Sequence, residues 1–329
     1  MADPVAIVGA GPTGIACAIE LGNRGIEAVC YDRGSILDSI YHFPEEMRWY
    51  STRDLLDIAG IPFGVPEAHP TRLEALAYYR GVAERFNVRV VAETRIEAIR
   101  PQPEGRLLVA AVGRTGSRSF EAPAAILATG FFHNPRRLGI PGQGLPHVHA
   151  RYVSGYPFHG RDVVVVGGKN SAAESALDLY RHGARVTLIH RGSGISERVK
   201  YWIKPDLENR IAAGKIRAIF GSRLLEITPE VVRVSTPEGR MELRADAVFP
   251  LIGYEPDFAF FERCGIRLDG PGRVPAHDPG TLESNIPNLY VAGAILGGTE
   301  IGHIFIENSR HHAALVASAI AARARAVPA

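Results

Sequence analysis

Two short glycine-rich turns carry most of the chemistry legible in this chain. In Gly9-Ala10-Gly11-Pro12-Thr13-Gly14 the glycines have the spacing of a dinucleotide-binding turn. The first permits a tight bend, the second lets backbone approach a pyrophosphate, and the third allows a helix to pack closely on a strand. The helix that opens there presents N–H groups and a positive dipole end to the phosphates. Asp32, with Arg33 beside it, closes the next apolar run 18 residues beyond Gly14. A carboxylate at that place can hold ribose hydroxyls. The alternative is a glycine-rich turn with no ligand.

The second turn is Gly167-Gly168-Lys169-Asn170-Ser171-Ala172, with Lys169 where a middle glycine is expected. A side chain there crowds the pyrophosphate unless the phosphates shift and the ammonium meets them. The next apolar run ends in His190-Arg191 and not in an acid. An acid would favour the free 2′-hydroxyl of NADH, whereas an arginine suits the 2′-phosphate of NADPH. Arg198 and Lys200, in the loop that follows, are candidates to share that phosphate; taken singly, each reads as a solvated charge. Three cysteines, Cys17, Cys30 and Cys264, include no C-x-x-C pair. That argues against a disulfide framework and a local zinc site, so no metal is expected. Cys17 and Cys30 read as core residues, and Cys264 has no evident base beside it.

The elements that must hold these turns alternate strand and helix. Residues 4–9 form a nearly unbroken apolar run, followed by a helical stretch over 13–23 and a strand at 28–31, a β-α-β unit with a buried parallel strand. A second copy spans 163–190. Between them lie a helix at 71–86, strands near 88–91 and 106–112, and the apolar segment 125–130. Strands at 217–220, 231–235 and 247–253 follow; the chain closes with a strand at 289–292, a glycine-rich turn and a helix from about 302 to 323. Pro- and Gly-rich stretches at 133–146 and 253–257 read as crossings between domains. The expected fold is α/β, with two Rossmann-like, three-layer ββα dinucleotide-binding domains. The second, 135–252, is inserted into the first, 1–134 and 253–329.

Composition agrees with that organisation. The 329 residues suffice for two domains, and 46% hydrophobic with 22% charged residues is the balance of a soluble globular protein. A net charge of +2 with no basic run makes nucleic acid an unexpected partner. The chain passes from Met1-Ala2-Asp3-Pro4 straight into a strand, and no apolar stretch approaches a bilayer crossing. The expectation is a cytoplasmic enzyme with no membrane partner.

Ala128-Thr129-Gly130 ahead of the insert and Ile252-Gly253-Tyr254 leaving it resemble the low-molecular-weight thioredoxin-reductase-like flavoproteins. Within that group three stretches are similar to the YpdA-type bacillithiol-disulfide reductases. They are Ser39-Ile40-Tyr41 with Pro44, Met47 and Ser51-Thr52; Pro70-Thr71-Arg72-Leu73-Glu74-Ala75-Leu76-Ala77-Tyr78-Tyr79-Arg80; and Ile304-Phe305-Ile306-Glu307-Asn308-Ser309-Arg310-His311-His312. The resemblance implies FAD in the first domain and NADPH in the second. Hydride would pass to flavin N5 and electrons onward to a low-molecular-weight thiol disulfide, in a homodimer. It places Ser39, Tyr41, Met47 and Ser51 along the isoalloxazine, where aromatic and methionine side chains pack flat; the alternative is a long loop covering the core. Thr129, Gly130 and Gly293 join the FAD contacts. The turn at 297–302, with Ile304, comes to the N1–O2 edge of the flavin, where a helix dipole stabilises the reduced ring.

Two positions depart from the family's pattern. Thr13 stands where the family's proposed attacking cysteine lies in a G-x-G-P-C-G turn, and a hydroxyl cannot form a mixed disulfide. With Thr13 at the catalytic position, the resemblance implies direct attack by reduced flavin or a thiol supplied in trans. Ala292-Gly293-Ala294 replaces the usual Ala-Gly-Asp, and Glu300 is the candidate substitute near the ribityl chain, a helix-capping carboxylate being the alternative. His303, His311 and His312 are candidates for proton transfer or for structural roles. Rival readings are a ferredoxin/flavodoxin–NADP reductase-like diaphorase, whose partner is a small electron-carrier protein, and a poorly catalytic FAD-binding redox sensor. A flavin monooxygenase is disfavoured, because 155–159 matches that family's G-x-x-x-H fingerprint only superficially.

Overall fold

The computed structural model describes residues 3–326. It divides into two compact units. The first takes residues up to 42, Met47–Asn134 and the chain from 255 onward, and the second takes Phe43–Glu46 with Pro135–Tyr254. Gly253 and Tyr254, expected to open the returning segment, cluster with the second unit.

The first unit opens with β1 (Val5–Val8), α1 (Pro12–Gly22) and β2 (Ala28–Tyr31). Short α2 (Asp38–Tyr41) and α3 (Arg53–Leu56) lead to α4 (Arg72–Arg85), then β3 (Arg89–Val91). β4 (Arg95–Pro101), β5 (Leu107–Gly113) and β6 (Gly116–Ala122) form an antiparallel meander before β7 (Ala125–Leu127). The second unit contains β8 (Asp162–Val166), α5 (Asn170–Arg181), β9 (Arg185–Ile189), α6 (Lys204–Ala212) and β10 (Arg217–Ile219). A second meander of β11 (Arg223–Ile227), β12 (Val231–Thr236) and β13 (Gly239–Arg244) precedes β14 (Ala247–Pro250). The chain then completes the first unit with α7 (Phe258–Arg263), β15 (Leu268–Asp269), β16 (Val274–Pro275), β17 (Leu289–Val291), α8 (Ile306–Ser309) and α9 (His312–Ala326).

Each unit is built on a parallel sheet, ordered β17-β7-β1-β2-β3 in the first and β10-β9-β8-β14 in the second. All four residues of β1 are buried, as a parallel strand covered on both faces requires. In β8 the alternation of strand side chains feeds two cores. Val163 and Val165 pack with Ala172, Ala176, Leu177 and Leu207 of the helices. Val164 and Val166 pack with Leu224, Val232, Val234 and Leu243 of the meander. That is a three-layer ββα sandwich. No helix of the described residues is long and apolar enough to cross a membrane.

The helix expected over 302–323 is broken. A 3-10 turn covers Ile301–His303, and Phe305 is extended (φ −121°, ψ −179°). Asn308 is responsible: its Oδ1 accepts from Phe305 N at 2.7 Å and its Nδ2 donates to His303 O at 2.6 Å. Such local side-chain bonds compete with helix continuation.

Candidate functional site

Gly9 follows β1 with φ +110°, and a Cβ there would lie 2.5 Å from Ala128 O. A Cβ on Gly14 would overlap the Gly9 carbonyl oxygen. Only glycine fits either place. Gly11 differs, since a Cβ on it would meet nothing within 4 Å. It is the N-cap of α1, Pro12 is the first helical residue, and no side chain caps the helix. By contrast, α4 carries a full capping box from Thr71 and Glu74. An uncapped α1 N-terminus with open space beside Gly11 is the arrangement an anionic pyrophosphate fits.

Asp32 stands just past β2, its Oδ2 accepting from Ala10 N at 2.8 Å and its Oδ1 from Gly34 N at 2.9 Å. Burial raises its pKa, and those two amides oppose the shift. Arg33 beside it is exposed. Thr129, after β7, has a buried Oγ1 with no hydrogen-bond partner in the protein, and Gly130 follows it. An orphan hydroxyl, a carboxylate with acceptor capacity left, and an open glycine turn together fit a dinucleotide.

Thr13 is half-buried under Gly293: a Cβ on Gly293 would sit 2.8 Å from Thr13 Oγ1. Gly293 N donates to His312 Nδ1 at 3.1 Å, so that ring nitrogen carries no proton. His312 is 8% exposed, and its pKa is pushed down to about 4, by burial first and then by His311 and His277. Of the two sequence readings of this histidine, proton transfer or a structural role, the buried bond to Gly293 N fits the structural one.

Glu300 is far from buried, its side chain 78% exposed and 3.7 Å from His303 Nε2. It precedes the 3-10 turn at the N-cap position but makes no capping bond, so the capping alternative fails. Ile304 is half-buried and packs against the Gly297 backbone.

The segment containing Met47 is laid along the start of α4, with Trp49 N bonded to Pro70 O and Arg72 N to Met47 O. Tyr41 is exposed, while Met47 and Ser51 are half-buried. Ser39 Oγ is hydrogen-bonded to His133 Nε2 at 2.9 Å, and Asp38 Oδ2 lies 3.5 Å from that nitrogen and 3.3 Å from His42 Nδ1. Asp38 and His133 were not singled out from the sequence, and His42 was read only as part of the aromatic segment along the flavin. Their positions 38, 42 and 133 share no motif.

In the second unit Gly167 (φ +150°) would bring a Cβ to 2.5 Å from Leu251 O. Lys169 is the exposed N-cap of α5, again with no side-chain cap, and Ser171 is exposed on the first turn. The His190 ring lies over Gly168 and Gly192, where a Cβ would come within 2.5 Å and 2.7 Å of it. Burial lowers the His190 pKa, and Arg191 adds to the shift. Arg191 and Arg198 are exposed on the loop after β9. Lys200 is not: its side chain is 7% exposed and its Nζ sits 2.7 Å from Glu174 Oε1, directed inward. Gly253 is exposed past β14, its carbonyl accepting from Arg136 N.

All three cysteines are buried. Burial, with Glu20 nearby, pushes Cys17 up to about 12; burial raises Cys30 further and Cys264 to about 11. Cys30 donates to Gly14 O at 3.6 Å. None offers a thiolate near neutral pH.

Two parallel sheets, each delivering an uncapped helix N-terminus behind a glycine turn, define an oxidoreductase that works with two dinucleotides. A model described as pyridine nucleotide-disulphide oxidoreductase matches residues 6–293, and the chain belongs to that family, as an FAD-dependent enzyme of the NADPH-using kind. It is 36% identical over 318 residues to the bacilliredoxin reductase Bdr of Bacillus subtilis (strain 168), covering 96% of this chain and 97% of the relative. A ferredoxin–NADP reductase of Ignicoccus hospitalis is 26% identical over 88% of each chain. The solved bacillithiol disulfide reductase Bdr (YpdA) from Bacillus cereus superposes with a TM-score of 0.94 at 35% identity, over 98% of this chain and 100% of that one. The thioredoxin reductase of T. acidophilum, at 19% identity and TM-score 0.75, shares the fold.

Proposed function

We propose that this protein reduces a low-molecular-weight thiol disulfide, bacillithiol disulfide, at the expense of NADPH. The observation that carries the reading is near-full-length similarity to a bacilliredoxin reductase and to a solved bacillithiol disulfide reductase. FAD supplies the two-electron relay between the nicotinamide and the disulfide. In this reading the α1 amides and Gly11 hold its pyrophosphate and Asp32 its ribose hydroxyls, and the Thr129 hydroxyl finds its partner there. Gly293 with Thr13 beneath it, and the segment from Ser39 through Tyr41 and Met47 to Ser51, line the ring. Lys169, Arg191 and Arg198 take the phosphates of NADPH. The working form is a homodimer in the cytoplasm, where three unpaired thiols stay reduced.

Cleaving the disulfide takes two electrons and two protons and releases two thiols. Thr13 cannot hold half of the disulfide covalently, and the three cysteines are buried with raised pKa values. The sulfur exchange is therefore confined to the bound disulfide itself or to a thiol supplied by a second protein. Anaerobic NADPH oxidation by FAD-loaded protein, with bacillithiol disulfide as sole acceptor, tests this. Sustained turnover that persists in a variant lacking all three cysteines is expected. Flavin bleaching without turnover sinks the disulfide assignment. Similarity to ferredoxin–NADP reductases would then make ferredoxin or flavodoxin the acceptor to try.

A further inference from the structure

Asn170 and Glu174 lie one turn apart on α5, so their side chains share a face of the helix. Both are engaged by the loop that follows β9. Asn170 Oδ1 accepts from Lys200 N at 2.8 Å, and its Nδ2 donates to Arg198 O at 3.3 Å. Glu174 takes the Lys200 ammonium at 2.7 Å in a largely buried pair. Ser196 N donates to Gly168 O at 3.1 Å, tying the same loop to the glycine turn. The backbone is thus fastened at 196, 198 and 200, while Val199 is buried beneath it. Arg198, between the fastened points, is exposed.

A buried ion pair is a poor source of net stability, because desolvation offsets most of the attraction. Its evident consequence here is geometric. A guanidinium recognises a phosphate through directed hydrogen bonds, and a loop held in place before binding loses less freedom on binding. We infer that Asn170, together with the ion pair of Glu174 and Lys200, positions Arg198 and so sets this chain's preference for an adenine ribose that carries a 2′-phosphate. The inference rests on the reading that the second unit binds NADPH, but not on any electron acceptor. Lys200 then acts through Arg198 and does not touch the phosphate itself.

The test is calorimetric titration of the FAD-loaded protein with 2′,5′-ADP and with 5′-AMP, in wild type, Asn170→Ala, Arg198→Ala and the double variant. Wild type should prefer 2′,5′-ADP. Asn170→Ala should weaken 2′,5′-ADP binding about five- to ten-fold while 5′-AMP binding changes less than about two-fold, the size of one or two lost hydrogen bonds. Adding Asn170→Ala to Arg198→Ala should have no further effect, because the two act as one unit. Equal weakening of both ligands, or additive losses in the double variant, would show a merely structural role and overturn the inference. A wild type with no preference for 2′,5′-ADP would overturn it together with the NADPH reading, whatever the acceptor assays gave. Should Asn170→Ala lose its fold by circular dichroism, the pair Glu174→Gln with Lys200→Met carries the same test.

Discussion

Gly9 and Gly167 occupy equivalent places in their units. Each follows a buried parallel strand, and each amide donates to the last carbonyl of the neighbouring strand, Tyr31 in one case and Ile189 in the other. A Cβ on either would lie 2.5 Å from a backbone carbonyl, that of Ala128 or Leu251. Two residues on, the likeness ends. The first unit has Gly11 over open space, and the second has Lys169. Past the second strand, Asp32 accepts two amides where the His190 ring instead packs over two glycines. Gly9 and Gly167 match where backbone meets backbone; Gly11 and Lys169 differ where the turn is open, and Gly14 and Ala172 differ within the packing of helix on strand. Packing dictates the first glycine of each turn and, in the first unit, Gly14 as well; the middle position is left to the ligand.

The largest expected effects follow from the matched positions. Gly9→Ala and Gly167→Ala each force a Cβ against a backbone carbonyl in a conformation that L residues rarely adopt. Each should destabilise by about 3 kcal/mol or more in chemical denaturation. A loss below about 1 kcal/mol at either site would show that the close approach is not constraining, and the parallel would fail.

A second contrast lies in the histidines. His312 accepts from Gly293 N with a pKa pushed down to about 4, whereas in an unfolded chain it titrates near 6.5. Between those values the unfolded state binds more protons, so stability rises with pH. This contribution is complete above about pH 6.5 and is lost as pH falls towards 4, amounting to roughly 3 kcal/mol. Carboxylates titrate over part of the same range, so the control is His312→Asn, which can still accept from Gly293 N but does not titrate. Denaturation curves from pH 7 to 4 should fall more steeply for wild type than for the variant. Parallel slopes would refute the assignment.

How much of this was legible beforehand followed burial. The elements β1, α1, β2, β8, α5 and β9 announce themselves because parallel strands are apolar throughout and the glycines mark where each helix begins. Of the meanders, the sequence showed only the central strands β5 and β12. The flanking β6 and β13 are mostly exposed, and their mixed sequences carry no clear alternation. The break at Phe305 depends on Asn308 bonding to the backbone three and five residues earlier, which no periodicity records. Lys200 read as a solvated charge or a candidate to share the phosphate because its inward partner, Glu174, is distant in sequence and adjacent only in space. The cluster of Ser39, Asp38 and His133 was hidden for the same reason.

The smallest effects on folding should come from the unmatched positions, and they sharpen the contrast most. Gly11→Ala adds a methyl group to open space at an extended backbone position (φ −83°, ψ −178°) that any residue adopts. Its stability without cofactor should change by less than about 0.5 kcal/mol. The same methyl would take up space at the uncapped α1 N-terminus, so FAD affinity, read by fluorescence on titrating deflavinated protein, should fall clearly. Lys169→Ala is likewise expected to leave folding untouched, since its side chain is exposed and makes no cap. It should weaken binding of NADP⁺ without altering FAD affinity. If Gly11→Ala weakened folding as much as Gly9→Ala, packing and not a ligand would explain the middle glycine. The difference between the two turns would then say nothing about what each unit binds.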